Sequence, residues 1–132
     1  MHIIWEAQLR QLVKVYKALS DESRLRVLNL VMNKECCVCE VMQTLEISQS
    51  KSSRILNTLY DVGFLKLHKD GLWSLYSIDW NGMDVPLKDI LKASTGAFKG
   101  NRQMCIDLER LKRAERVGPG CARKKCAEKT AR

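Results

Sequence analysis

The stretch from Ser48 to Ile78 constrains this chain most, because a helical pattern with a polar outer side runs straight into a hairpin. Ser48 reads as an N-cap, since its hydroxyl can accept an otherwise orphaned backbone N–H. Ile55, Leu56, Leu59 and Tyr60 then fall on one side of the helix, and Gly63 stands where a C-terminal cap residue belongs. Phe64, Leu65 and Leu67 read as a short strand, Lys69-Asp70-Gly71 as a turn, and Trp73, Leu75, Tyr76 and Ile78 as the return strand.

Upstream, Ile4, Leu9, Leu12, Val13, Tyr16 and Leu19 make residues 3–19 an amphipathic helix. Ser20-Asp21 offers a cap for a second helix carrying Leu25, Leu28, Val31 and Met32, with a stop at Asn33-Lys34. A third helix follows Cys36, Cys37 and Cys39, turns Val41 and Leu45 inward, and ends near Glu46-Ile47. Downstream, Pro86 can open a final helix through Ile90, Leu91, Phe98, Met104, Leu108 and Leu111, interrupted near Gly100-Asn101 and ended by Gly118-Pro119-Gly120. The expected fold is mainly α with a small β-hairpin: a winged helix-turn-helix.

Such a fold can read DNA if the start of its recognition helix carries no bulky apolar group and can reach phosphates and base edges. Ser48, Gln49, Ser50, Lys51, Ser52, Ser53, Arg54 and Asn57 supply hydroxyls, amides and two cations there, and Lys66, His68 and Lys69 on the hairpin would flank the groove. Gln49 suits adenine, and Arg54 suits guanine or phosphate. The same shape also serves protein–protein modules, so spacing alone leaves that reading open.

At 132 residues the chain fits one domain. No apolar run approaches the roughly 20 residues of a membrane helix and no signal-peptide pattern opens the sequence, so a soluble cytoplasmic protein is expected. Of the formal net charge of +8, residues 99–132 contribute most, with 11 Lys+Arg against 4 Asp+Glu. A basic end favours polyanionic partners but is equally the mark of a solvated tail. The six cysteines are unevenly spaced. Cys36, Cys37 and Cys39 lie too close together to close useful disulfide loops with one another, whereas clusters of this kind suit metal ligation or redox chemistry in a reducing compartment.

Four linked motifs over about residues 15–80 resemble the ArsR/SmtB family of bacterial metal-responsive repressors. They are Lys17-Ala18-Leu19-Ser20-Asp21-Glu22-Ser23-Arg24-Leu25-Arg26-Val27-Leu28, the cysteine segment Glu35-Cys36-Cys37-Val38-Cys39-Glu40-Val41, the recognition helix Ser48-Gln49-Ser50-Lys51-Ser52-Ser53-Arg54-Ile55-Leu56, and the wing with its approach, Gly63-Phe64-Leu65 and Gly71-Leu72-Trp73-Ser74-Leu75-Tyr76-Ser77-Ile78. The resemblance implies a homodimer held through its first and last helices (here residues 3–19 and the helix after Pro86) that binds a double-stranded operator and leaves it when a thiophilic ion binds. It divides the chain into a winged helix-turn-helix DNA-binding and dimerisation domain, residues 1–116, and a basic cysteine-containing tail, residues 117–132, expected to be flexible. Cys37 and Cys39 match the two cysteines of the family's metal box. Met42 stands where arsenic-sensing members often carry a third cysteine, Cys36 replaces the usual Leu, and Ile55 stands where many members have His.

Soft thiolates select soft ions. Three cysteines with no nearby fourth ligand favour As(III) or Sb(III) as inducer over Cd(II), Pb(II) or Zn(II), because tetrahedral zinc wants four ligands. Cys36 is the nearest candidate for a third ligand beside Cys37 and Cys39, with Cys121 and Cys126 as alternatives. Cys105 is expected to be a small buried hydrophobe or an interface residue. Residues two apart on a helix point about 200° apart. Cys37 and Cys39 can therefore share an ion only if the first turn distorts or the cluster sits just before the helix. A thiol redox or persulfide switch is the competing reading. No glycine-rich anion loop precedes any cysteine, so a thiol-dependent enzyme is not expected.

Overall fold

The computed structural model describes residues 2–116, with side chains from Ala7 onward. The described elements are α1 (His2–Leu19), α2 (Glu22–Asn33), α3 (Val38–Leu45), α4 (Gln49–Asp61), β1 (Leu65–Asp70), β2 (Trp73–Ile78), α5 (Val85–Phe98) and α6 (Arg102–Arg113). Gly118-Pro119-Gly120, Cys121 and Cys126 lie outside the described residues.

Local chemistry sets the boundaries. The Asp21, Ser48, Asp84 and Asn101 side chains each accept a backbone N–H in the first turn of α2, α4, α5 and α6. Pro86 sits within the first turn of α5, where its missing N–H leaves nothing unpaired. The interruption expected at Gly100-Asn101 is a full break: Gly100 takes φ +78, which frees the chain to restart as α6. Glu46, at φ 57, makes the sharp turn between α3 and α4.

β1 and β2 pair antiparallel from Leu65↔Ile78 to Asp70↔Trp73. Gly71, at φ +64, supplies the positive φ of the turn. β2 is also paired on its other edge, where Cys36 and Tyr76 exchange both backbone hydrogen bonds, at 2.9 and 2.8 Å. The segment carrying the cysteines is thus stitched to the wing.

Phe64, Leu28, Leu30, Leu56, Leu59 and Leu91 are fully buried where α2, α4 and α5 meet the base of the hairpin. α6 closes the core over α2. The buried Asp107 accepts Arg26 Nε at 2.8 Å and Nη2 at 2.9 Å, and Gln103 Nε2 at 2.9 Å. Asn29 Nδ2 donates to the Met104 carbonyl at 3.2 Å.

The apolar stripe of α1 faces outward, with Leu9 63% and Tyr16 56% exposed, while Val15 and Ala18 hold the helix to the core. Arg24 secures the C-terminal end of α1 by donating to the Lys17 and Ala18 carbonyls. Tyr60, placed by periodicity on the inner side of α4, is exposed. Of the two readings of Cys105, the buried one is overturned: it is exposed, at the edge of a cleft between α2, α5 and α6.

Candidate nucleic-acid interface and thiol centre

The first two turns of α4 form a polar, exposed surface. Ser48, Gln49, Ser50, Lys51, Arg54 and Asn57 are exposed and Ser53 is half-buried. Ser52 does not belong to that surface: it is fully buried, and its hydroxyl donates to the Ser48 carbonyl at 2.9 Å. Four residues after the cap, it points back along the helix into the core. Lys51 and Arg54 share a polar cleft with Asp21, Arg24 and Thr58. On the wing, Lys66, His68 and Lys69 are exposed. Lys69 Nζ donates to Ser74 Oγ at 2.8 Å, and His68 Nε2 lies 3.5 Å from Glu35 Oε2. The Tyr76 hydroxyl donates to Asn57 Oδ1 at 3.2 Å, tying β2 to α4.

The cysteines separate into two environments. α3 begins at Val38, so Cys37 is its N-cap, outside the helix at φ −96 and ψ 169, and Cys39 is the second helical residue. The turn is intact, yet the two sulfurs are 2.8 Å apart. The helical angle does not apply to an extended cap residue, so the condition that the cluster begin just before the helix is met. Both sulfurs are buried, packed with Leu75 and Trp73 of β2. The Trp73 indole N–H is buried there with no hydrogen-bond partner.

Cys36 turns the other way. Successive side chains in extended backbone point to opposite sides, and Cys36 enters the main core, donating to the Lys34 carbonyl at 3.3 Å. Burial, then the nearby charge of Glu40, pushes its thiol up to about 12. The structure therefore brings Cys37 and Cys39 together without Cys36. Among the described residues, no group of three or more Cys, His, Asp or Glu side chains could hold a metal ion. Two buried soft donors in contact are, however, the right chemistry for a thiophilic ion.

Several residues around this pair escaped the sequence reading. Glu40 is 1% exposed, accepts the Cys37 N–H at 3.0 Å, and carries two cations, Lys34 at 2.7 Å and Arg116 at 2.8 Å. Its signal was available: Cys37-x-x-Glu40 has the spacing of a capping box, with Cys in the place of Ser. After α6, Ala114–Arg116 cross the start of α3 as a strap. The Gln43 side-chain amide bonds both backbone groups of Glu115, at 2.8 and 3.1 Å. The Glu115 carbonyl lies 3.6 Å from Cys39 Sγ, and Arg116 Nη2 donates to the Glu35 carbonyl at 2.8 Å. Partial burial works to lower the Arg116 pKa, but its hydrogen bond to Glu40 and the surrounding negative charge raise it on balance.

A family profile described as "Bacterial regulatory protein, arsR family" matches residues 21–66. The chain is 35% identical over 80 residues to an uncharacterized HTH-type transcriptional regulator of Methanocaldococcus jannaschii, covering 60% of this chain and 85% of that one. It is 33% identical to the arsenical resistance operon repressor of Bacillus subtilis, covering 54% and 69%. It is 37% identical to a cadmium resistance transcriptional regulatory protein CadC homolog of Staphylococcus aureus, covering 50% and 55%, so it spans about half of that relative. Among solved structures, a homodimeric winged helix-turn-helix DNA-binding domain from Mycobacterium bovis superposes with a TM-score of 0.61 at 21% identity, over 74% of this chain and 86% of that one. At that identity the likeness shows the fold. No helix among the described residues is long and apolar enough to cross a membrane.

Proposed function

Because the chain belongs to the ArsR family of bacterial regulatory proteins, we propose that it is an operator-binding repressor released by a thiophilic ion held at Cys37 and Cys39. As(III) and Sb(III) are the favoured inducers. The carrying observation is the buried 2.8 Å contact between those two sulfurs, at the start of α3 and against β2.

α4 is the recognition helix. Ser48, Gln49, Ser50, Lys51, Ser53, Arg54 and Asn57 face the major groove, and Lys66, His68 and Lys69 neutralise the flanking backbone. A second copy of the chain covers the outward stripe of α1. Leu9, Leu12, Val13 and Tyr16 are apolar and exposed there, beside an open groove of about 560 Å³ between α1 and the start of α5. A two-fold dimer presents two α4 helices to successive major-groove faces.

Release requires only that the ion bind the DNA-free state better, by about 1–3 kcal/mol in typical couplings. The thiol pair is well placed for this, because its neighbours are the first turn of the helix-turn-helix and β2, whose Tyr76 also bonds Asn57 on α4. Ligation that displaces either element moves the DNA-reading surface.

The test is fluorescence anisotropy of the reduced protein on its own promoter DNA at fixed salt. Arsenite, antimonite, Cd(II), Pb(II) and Zn(II) are titrated in turn. Release by arsenite or antimonite is the expected outcome, and release by Cd(II), Pb(II) or Zn(II) alone reassigns the ion. The sulfur–sulfur contact equally favours a second reading, a Cys37–Cys39 thiol switch. Indifference to every ion combined with release by peroxide or persulfide would establish it.

The same assay checks the DNA face. Lys51→Ala and Arg54→Ala are each expected to weaken operator binding and to lower the salt slope by about 1, as loss of one phosphate contact requires. An unchanged slope in Arg54→Ala with relaxed sequence preference would make Arg54 a base reader instead.

A further inference from the structure

We propose that the Glu115–Arg116 strap is a latch over the Cys37–Cys39 pair, and that reagents reach the two thiols only when it opens. The inference concerns access and holds whichever soft ion or oxidant the thiols take. Both side chains are enclosed, with Cys37 2% and Cys39 1% exposed. The wing forms one wall of the enclosure through Leu75 and Trp73. That wall is fixed: Leu75 is fully buried, and β2 is hydrogen-bonded on one edge to β1 and on the other to Cys36. The strap is a second cover, with the Glu115 carbonyl 3.6 Å from Cys39 Sγ.

The strap is held in a different way from the wing. α6 ends at Arg113, and Ala114 takes extended backbone, at φ −70 and ψ 144, that carries the chain off the helix. Beyond that point side chains do the holding. Gln43 clamps Glu115 through both backbone groups, and Arg116 donates to Glu40 Oε1 at 2.8 Å and to the Glu35 carbonyl at 2.8 Å. Glu115 is exposed and Arg116 half-buried, so water competes for these bonds. Segments with few buried contacts and solvent-exposed hydrogen bonds open at lower free energy than the core. The strap is therefore the first part of the enclosure to give way. Its anchor, Glu40, also accepts the Cys37 N–H at 3.0 Å. The residue that fastens the cover is thus the one that fixes the backbone of a thiol beneath it.

The rest of α6 is secured separately. Arg110 donates to the Thr44 carbonyl at 3.3 Å and pairs with Glu46 at 2.7 Å, at the far end of α3, and Asp107 fastens α6 to Arg26 of α2. Opening the strap therefore leaves α6 seated and releases the contacts of two residues. Cys36 provides an internal contrast, because its side chain is fully buried in the main core rather than with the pair. Release of the latch bares Cys37 and Cys39 and leaves Cys36 closed, whereas unfolding bares all three.

The experiment is N-ethylmaleimide labelling of the reduced full-length protein, stopped at low conversion and read at each cysteine by peptide fragmentation in a mass spectrometer. The exposed Cys105 should react first, Cys37 and Cys39 next, and Cys36 last. Low urea should quicken Cys36, whose exposure needs global unfolding, and leave Cys37 and Cys39 nearly unchanged. Arg116→Ala removes a charge-assisted bond to a buried carboxylate, so it should raise the rates at Cys37 and Cys39 about tenfold and leave Cys36 within about twofold. Gln43→Ala should act in the same direction, and Arg110→Ala should change neither rate. A common rate and urea dependence at Cys36, Cys37 and Cys39 would overturn the latch. So would Cys36 rising with the pair in Arg116→Ala, equal acceleration by Arg110→Ala, or unchanged rates in both strap variants. The probe is not the inducer, so these outcomes are independent of the ion reading, which stands or falls by the anisotropy titration.

Discussion

Cys37→Ser is expected to leave ion-free operator affinity within about threefold of the unaltered protein and to raise the arsenite needed for release more than 100-fold. Even residues that merely support metal ligands carry about 10–100-fold in affinity, so loss of a ligand should exceed that. The substitution separates function from folding unusually well. Cys37 is the N-cap of α3, a position where serine is among the preferred residues, and the Glu40 bond to the residue 37 N–H does not depend on the side chain. The helix start therefore survives while a soft donor is replaced by a hard one. Trp73, packed beside both sulfurs, provides a second readout. Its emission should change on arsenite addition in the unaltered protein and not in Cys37→Ser. Full arsenite release by Cys37→Ser would remove this residue from the site.

The second large effect is on stability. Asp107→Ala should destabilise the fold by about 3–5 kcal/mol, the usual consequence of removing one partner of a buried ion pair. That corresponds to a fall of roughly 10–20 °C in Tm for a domain of this size. Asp107 is fully buried and gathers three donors from Arg26 and Gln103, so its loss strands a guanidinium at the α2–α6 contact. Lys112→Ala, which breaks the exposed pair with Glu109, should cost no more than about 0.5 kcal/mol. Thermal melts at one protein concentration check both, since self-association makes Tm concentration-dependent. A fall of only a degree or two in Asp107→Ala would show that the pair merely fills space.

The helix-turn-helix and the wing were legible because their signals are local. Capping side chains at Asp21 and Ser48, and glycines at positions 63, 71 and 100, act within a few residues of where they stand. The amphipathic pattern of α1 was legible as well, but a helical stripe shows that a side is apolar and not what covers it. Tyr60 and Ser52 were misplaced for a related reason. A residue on the margin of an amphipathic helix is assigned by its neighbours in space, which periodicity does not contain.

At the thiol centre the sequence singled out Cys36, Cys37 and Cys39, and the register of a single residue decided which two sulfurs meet. Starting α3 at Val38 leaves Cys37 in extended backbone and brings the sulfurs together. The strap was invisible in advance. Ala114-Glu115-Arg116 after a charged helix reads as a solvated end, and only the fold brings Arg116 to a carboxylate 76 positions earlier in the chain.

The exchange of backbone hydrogen bonds between Cys36 and Tyr76 bears on how portable the cysteine segment is. Backbone pairing does not depend on which side chains are present, but it fixes the offset between the two segments that carry them. Grafting the cysteine motif onto another regulator would transfer the thiols without that offset. An inserted or deleted residue between positions 36 and 76 would shift sulfurs and hairpin relative to each other while leaving each intact. The cysteine segment and the wing of this protein are therefore a single heritable unit, and altering the thiol pair means redesigning side chains within a fixed register rather than exchanging a cassette.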